Sequence, residues 1–289
     1  MSGTSVEDLK PGDHACLTFS DNDERLDIVA AFVRDGLRLG QKVLCLTESV
    51  SQTALSDELA ARGVGIGSAA RSGQLQVAAS GQFFTPQGSF DPSATIVRWQ
   101  AQIDQANRDG YGGLRVTGDM CWALRPVGGV ADLMEYESRL TRMLAGQNAT
   151  AACQFDRQCF DTVTLATAAD NHSMNVTAVT YHDDALLRIC RQHVPTGVRI
   201  AGEIDYRAIE PLTLALSEAL SLDDHIDVNL TQLRFMDTTT AGVIVQTALG
   251  LTGRQRMTVR CTRISFDVLA ALGMQEQARV TLTTARHGD

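Results

Sequence analysis

The chain keeps changing its hydrophobic period, and that is the feature that most limits what it can become. Short uninterrupted apolar runs alternate with longer stretches whose apolar residues recur every three or four positions. HACLTF is the first such run, and Leu26, Val29, Phe32, Val33 and Leu37 then form one helical face. KVLCLTE, QLQVAAS, GLRVTGDMCW and ATAACQFD follow as further strands. Between them stand the helical stretches SQTALSDELAARG, a segment from about Ser93 to Arg108, and ADLMEYESRLTRMLAG. Strands apolar throughout their length, joined by crossover helices, predict a largely parallel sheet covered on both faces. The expected class is α/β.

This pattern fades after CQFDRQCFD into a polar, weakly periodic stretch, and a second α/β succession follows. Its strands are LLRIC, GVRIAG, HIDVNLT and MTVRCT; its helices are AIEPLTLALSEALS, TTTAGVIVQTALGLTG and SFDVLAALGM. The predicted organisation is a first domain over 1–172, a linker over 173–184 and a smaller domain over 185–289. A chain of 289 residues is long enough for two such cores.

Apolar residues make up 44% and charged residues 20%, as in ordinary globular proteins. The net charge of -9 disfavours wrapping around nucleic acid or an anionic membrane. Arg254, Arg256, Arg260 and Arg263 read as a solvated basic face. The beginning, MSGTSVEDLKPGDH, carries no apolar core of a signal peptide, and no run approaches the roughly 20 apolar residues that span a bilayer. Seven cysteines, an odd number, fit a reduced compartment, with Cys16, Cys45, Cys121 and Cys153 inside apolar runs. The expectation is a cytoplasmic protein. No Cys/His spacing of a zinc motif is present, so neither a metal nor a cofactor is predicted.

Two motifs carry the functional reading of the second half. Gly202, Glu203, Ile204 and Asp205 spell GEID, and Phe235 to Gly242 spell FMDTTTAG, with Asp237 placed to cap a helix whose amides suit an anion. Together they resemble the STAS domain of anti-sigma-factor antagonists, over roughly residues 185–285. The resemblance implies phosphorylation of the residue after the motif aspartate, Thr238, with Thr239 as the fallback. The implied partner is an anti-sigma factor that is also a serine-threonine kinase of the histidine-kinase-like ATPase type. Asp205, Asp237, Thr239 and Gly242 would shape that contact. Capping alone also explains Asp237 and its threonines. Threonine in place of the family's usual serine is similar to stressosome scaffold proteins, which keeps a self-associating scaffold open as a second reading.

In the first half, PGDHACLTF, VLCLTES, VTGDMCWAL and CQFDRQCF resemble the MEDS sensory domain, over about residues 8–165. That family is regarded as a relative of RecA and KaiC-type ATPases and is proposed to sense small organic ligands. The resemblance sets Glu48 where such ATPases carry a catalytic glutamate and Asp119 near a Walker B-like strand end. The phosphate loop is absent: SDNDERLD has no glycine and no lysine, and Asp21, Asp23, Glu24 and Asp27 would repel a triphosphate. The expectation is therefore a regulator and not an enzyme, with nucleotide hydrolysis as the contrary reading. Ligands of open α/β sheets sit beyond the carboxyl ends of the strands. His14, Glu48, Asp119 and Trp122 are the predicted lining of a small-molecule pocket. Core filling for Trp122, a structural histidine for His14 and a turn cap for Asp119 are the competing roles.

Overall fold

The structure, a computed structural model, describes residues 3–284, and the chain divides into two compact units at Thr177 and Ala178. The first unit contains β1 (His14–Phe19), α1 (Asn22–Arg38), β2 (Lys42–Thr47), α2 (Gln52–Ala61), α3 (Ile66–Arg71) and β3 (Leu75–Ala79). It continues with α4 (Ser80–Phe84), α5 (Pro92–Arg108), β4 (Leu114–Asp119), α6 (Leu133–Leu144), β5 (Ala149–Asp156), α7 (Thr162–Asn171) and β6 (Met174–Val176). All six strands are parallel, in the order β3-β2-β4-β5-β1-β6.

The continuous apolar runs are strands because both faces of this sheet are covered. Leu44, Leu46, Val116, Ala151, Cys153 and Phe155 pack into one core with Trp99 and Ile103 of α5 and Tyr136 and Leu140 of α6. Helix α1 covers β1, β2 and β4 and is buried along most of its length, Leu26, Ile28, Val29, Phe32 and Val33 included. Side-chain caps start the helices where the sequence offers them: Asp21 accepts from the Glu24 amide, Ser51 from Ala54 and Asp91 from Ala94.

The second unit contains β7 (Thr180–Asp183), β8 (Leu187–His193), β9 (Thr196–Ile204), α8 (Ile209–Leu222), β10 (His225–Met236), α9 (Thr238–Leu249), β11 (Arg256–Cys261), α10 (Arg263–Ala271) and β12 (Val280–Thr284). Its sheet is mixed, ordered β12-β11-β10-β9-β8-β7, with β7-β8 and β8-β9 antiparallel and the remaining pairs parallel. Val198, Ile200, Val228, Leu230 and Val259 form its core with Leu212 and Leu216 of α8 and Ile244 of α9.

The α/β reading holds for both units, and the boundary between them falls inside the predicted linker of 173–184, but that stretch is largely strand. Within 173–184, Met174–Val176 pairs with β1 in the first sheet and Thr180–Asp183 pairs with β8 in the second. Edge strands of three and four residues are too short to show a period. Helix α7 escaped for a related reason: Ala168 is its one fully buried residue, so no apolar stripe marks it. GLRVTGDMCW also ends as a strand earlier than expected, at Asp119, after which Met120–Leu124 winds into a 3-10 turn.

One glycine of the GEID motif has a steric reason. Gly202 adopts φ +100°, and a Cβ there would collide with the carbonyl oxygen of Leu186. Gly202→Ala should therefore cost the second unit more than about 1 kcal/mol, read from the denaturant midpoint. An unchanged midpoint would contradict that placement.

Candidate functional site

The carboxyl ends of β1, β2, β4 and β5 meet at a buried polar knot centred on Asp119. Its Oδ2 accepts hydrogen bonds from the Ser49 amide at 2.8 Å, the Ser49 hydroxyl at 2.5 Å and Arg25 Nη2 at 2.9 Å. Its Oδ1 accepts the Cys121 amide at 3.0 Å and caps the 3-10 turn. Arg25 reaches in from the first turn of α1 and also donates to Gln154 Oε1 at 2.6 Å and Ser49 Oγ at 2.6 Å, while its guanidinium lies over the Phe19 ring. Burial opposes ionisation of Asp119 most strongly, but Arg25, Ser49 and the two amides outweigh it and hold the carboxyl below its ordinary value. The crevice where an open α/β sheet would take a ligand is thus filled by an internal ion pair, both partners almost wholly buried.

The predicted pocket assembles only in part: the Glu48 amide donates to Asp119 Oδ2 at 3.3 Å, but Trp122 and His14 do not join them in a cavity. Glu48 lies beside this knot, half-buried, with its side chain paired to Arg125 at 3.1 Å. Trp122 fills the core: it stacks on Phe84 with ring centroids 4.7 Å apart and meets Phe90 at 4.9 Å. His14 begins β1 and Asp119 ends β4, two strands away in the same parallel sheet, so the length of the strands separates them. A cleft of about 250 Å³ opens elsewhere in the unit, lined by Leu44, Leu46, Ala78, Gln82, Phe83 and Arg98. Arg25 was missed, although its position was legible: with Ile28, Val29 and Phe32 it occupies the i, i+3, i+4, i+7 stripe that α1 buries.

At the amino end of the sheet four chemically potent side chains converge. His14 Nε2 is 3.4 Å from Glu137 Oε2 and 3.3 Å from Cys153 Sγ. His172 Nε2 is 3.4 Å from the same carboxylate oxygen, and Cys153 Sγ is 3.7 Å from it. His14 and Cys153 come from neighbouring strands, Glu137 from α6 and His172 from the residue that ends α7. All four are buried. Burial holds His14 well below its ordinary pKa, with repulsion from His172 adding to it, and lowers His172 to about 4. Burial pushes Glu137 up to about 8, so these contacts are not ion pairs between charged groups. Sequence spacing carried no metal motif because the four residues come from four separate elements. One trace was visible: Glu137 lies on the apolar stripe of α6 with Leu133, Tyr136, Leu140 and Leu144.

In the second unit, β9 and β10 end side by side and bring the two motifs together. The Asp237 amide donates to the Ile204 carbonyl, and Asp237 Oδ2 accepts the Tyr206 amide at 2.9 Å. Asp237 Oδ1 accepts both the amide and the hydroxyl of Thr240 at 2.8 Å, capping α9. Its slight burial opposes ionisation, yet the Thr240 and Tyr206 hydrogen bonds hold its carboxyl below the ordinary value. Asp205 is likewise lowered, by Arg207. Thr240 is wholly buried, whereas Thr238 and Thr239 are exposed on the first turn of α9. Gly242 has open space where a Cβ would stand, so packing within the unit does not require glycine there. A groove of about 230 Å³ runs beside Asp205, between Leu186, Glu203, Arg207 and the exposed ring of Phe235.

The chain is thus an all-parallel α/β domain with a self-filled crevice, followed by a smaller mixed-sheet unit. Residues 13–173, more than half of the chain, match the family described as MEDS, the methanogen/methylotroph, DcmR sensory domain, and the chain belongs to that family. Its coarse role is therefore sensory. Among solved structures it is similar to a KaiC-like protein of the hyperthermophilic archaeon Pyrococcus horikoshii OT3, with 13% identity, 66% of this chain and 79% of that one covered, and a TM-score of 0.47. It is also similar to the flagellar accessory protein FlaH of Methanocaldococcus jannaschii, with 12% identity, 68% and 92% covered, and a TM-score of 0.45. No curated protein sequence matches it significantly. Among the described residues, no helix is long and apolar enough to cross a membrane.

Proposed function

We propose that the chain is a cytoplasmic anti-sigma-factor antagonist in which a MEDS sensor governs a STAS-like output unit. The output unit docks an anti-sigma factor that is also a serine-threonine kinase of the histidine-kinase-like ATPase type. Phosphorylation of Thr238 releases it. The observation that carries this reading is the division of labour among the three threonines of the motif: Thr240 is buried with its hydroxyl committed to Asp237, while Thr238 stands exposed at the first position of α9. A phosphate there adds about -1.5 to -2 charges and is tolerated by the helix amides, so the fold survives modification while a surface shaped for a neutral hydroxyl does not. Exposed Phe235 and Tyr206 supply apolar contact area beside it, and Asp205 and Gly242 complete the proposed docking surface.

The sensor half takes a small organic ligand, and the cleft formed by Leu44, Leu46, Ala78 and Phe83 suits one better than the ends of the strands do. Nucleotide hydrolysis is opposed by the loop after β1, SDNDERLD, which has neither the glycines nor the lysine that hold phosphates, so in this reading the chain works as a binding switch and not as an enzyme. The test is incubation with candidate anti-sigma kinases and ATP, with phosphate mapped by mass spectrometry and binding measured by calorimetry. Thr238→Ala should lose the label and keep the partner. Thr238→Asp should weaken partner binding by roughly 30-fold or more, equal to about 2 kcal/mol. Equal affinity of the parent and Thr238→Asp would end this reading.

A further inference from the structure

We propose that His14 Nε2, His172 Nε2, Cys153 Sγ and the Glu137 carboxylate are the ligands of a single divalent transition-metal ion, with Zn2+ as the type case. The site lies within the sensor unit and is independent of the phosphorylation reading.

The tautomers can be read from the surroundings of the two rings. His172 Nδ1 lies 2.7 Å from the Ala168 carbonyl, which can only accept, so Nδ1 carries the proton and Nε2 presents a bare lone pair. Thr141 has one hydroxyl proton and two carbonyls to give it to, Asn171 at 2.6 Å and Glu137 at 3.1 Å. It must then accept from His14 Nδ1 at 2.8 Å, which leaves His14 Nε2 bare as well. Two lone pairs therefore converge on the same carboxylate oxygen inside a pocket closed to water, and neither His172 Nε2 nor Glu137 Oε1 has a hydrogen-bond partner. Acceptors facing acceptors repel unless a proton or a cation lies between them.

The spacing selects a cation. A proton shared between oxygen and nitrogen holds the two at about 2.7–3.2 Å. Both nitrogens instead stand 3.4 Å from the carboxylate oxygen, and the sulfur stands 3.3 Å from one nitrogen and 3.7 Å from the oxygen. Bonds of about 2.0–2.1 Å to nitrogen and oxygen and 2.3 Å to sulfur give tetrahedral edges of roughly 3.3–3.6 Å. No two of the four ligand atoms are more than 4.8 Å apart, so the widest edge needs to close by roughly 1 Å.

Charge and supporting contacts agree with the spacing. One dication, one thiolate and one carboxylate sum to zero, the balance a fully buried site requires; the thiol and carboxyl protons leave to solvent on binding. Each imidazole is oriented through its far nitrogen by a backbone carbonyl or a hydroxyl, the arrangement that fixes a histidine ligand. Two nitrogens, one sulfur and one oxygen suit a borderline-soft metal rather than calcium or magnesium. With no open position the site is of the structural kind, tying β1 to β5, to α6 and to the end of α7.

The test uses the untagged full chain. Purified from zinc-supplemented cells, it should carry about one equivalent of zinc by elemental analysis. The metal-stripped chain should take up one equivalent of Co2+, with the intense visible bands of a tetrahedral ion and a thiolate charge-transfer band in the near ultraviolet. Cys153→Ser, a one-atom change, should abolish the charge-transfer band, and His172→Gln should weaken binding by 10-fold or more. Cys159→Ser, at the exposed cysteine, should change neither. Less than half an equivalent of both metals on the parent chain overturns the proposal whether or not the variants fold. So does a charge-transfer band that persists in Cys153→Ser or disappears in Cys159→Ser.

Discussion

Arg25→Met should cost the first unit about 3–5 kcal/mol at neutral pH, because it strands the buried Asp119 carboxylate at the end of an interior strand without its counter-charge. The Ser49 and Cys121 hydrogen bonds remain, but neutral donors do not replace a guanidinium at 2.9 Å. The pH dependence gives the mechanism away. In the parent, Asp119 titrates below its ordinary value, so its contribution is fully present above the unfolded pKa of about 3.9 and is lost as pH falls through the folded value. In Arg25→Met, burial is left to dominate and raises the pKa of Asp119, so the folded state binds the proton first and the deficit shrinks on acidification. Adding Asp119→Leu should recover more than half of the loss. Urea unfolding at pH 7 and pH 5 reads all of this. A loss within about 0.5 kcal/mol, as for a surface arginine, would show that the pair does not close the crevice.

Trp122→Ala is the second large effect, about 3–5 kcal/mol, from the cavity left against Phe84 and Phe90. Trp122→Phe should cost far less, since the indole N–H has no partner to lose. The comparison separates two roles for the residue. A pocket-lining tryptophan would change ligand affinity with little effect on the denaturant midpoint; a core tryptophan does the reverse. A small midpoint shift in Trp122→Ala would return the residue to the pocket.

Much of the architecture was legible. HACLTF and ATAACQFD coincide with β1 and β5, and Asp237 caps α9 as its place in the sequence suggested, because strand period and helix caps are local properties. Elements without a period were not legible: α7 buries one alanine, and β6 and β7 are too brief to alternate. Of the candidate sites, the GEID and FMDTTTAG motifs do meet at adjoining strand ends. Of the predicted pocket, Glu48 and Asp119 do meet, whereas strand direction sends His14 to the amino ends of the strands and Asp119 to their carboxyl ends.

What the chain alone determined, then, is the succession of strands and helices, the two α/β units and the helix start capped by Asp237, all of which follow from neighbours within a few positions. The tertiary structure alone decided that Arg25 seals the crevice 94 residues away in sequence from its partner Asp119, and that His14 meets Glu137, Cys153 and His172. Both depend on which strands lie side by side. That order is set by the burial of whole faces, so no local spacing encodes it.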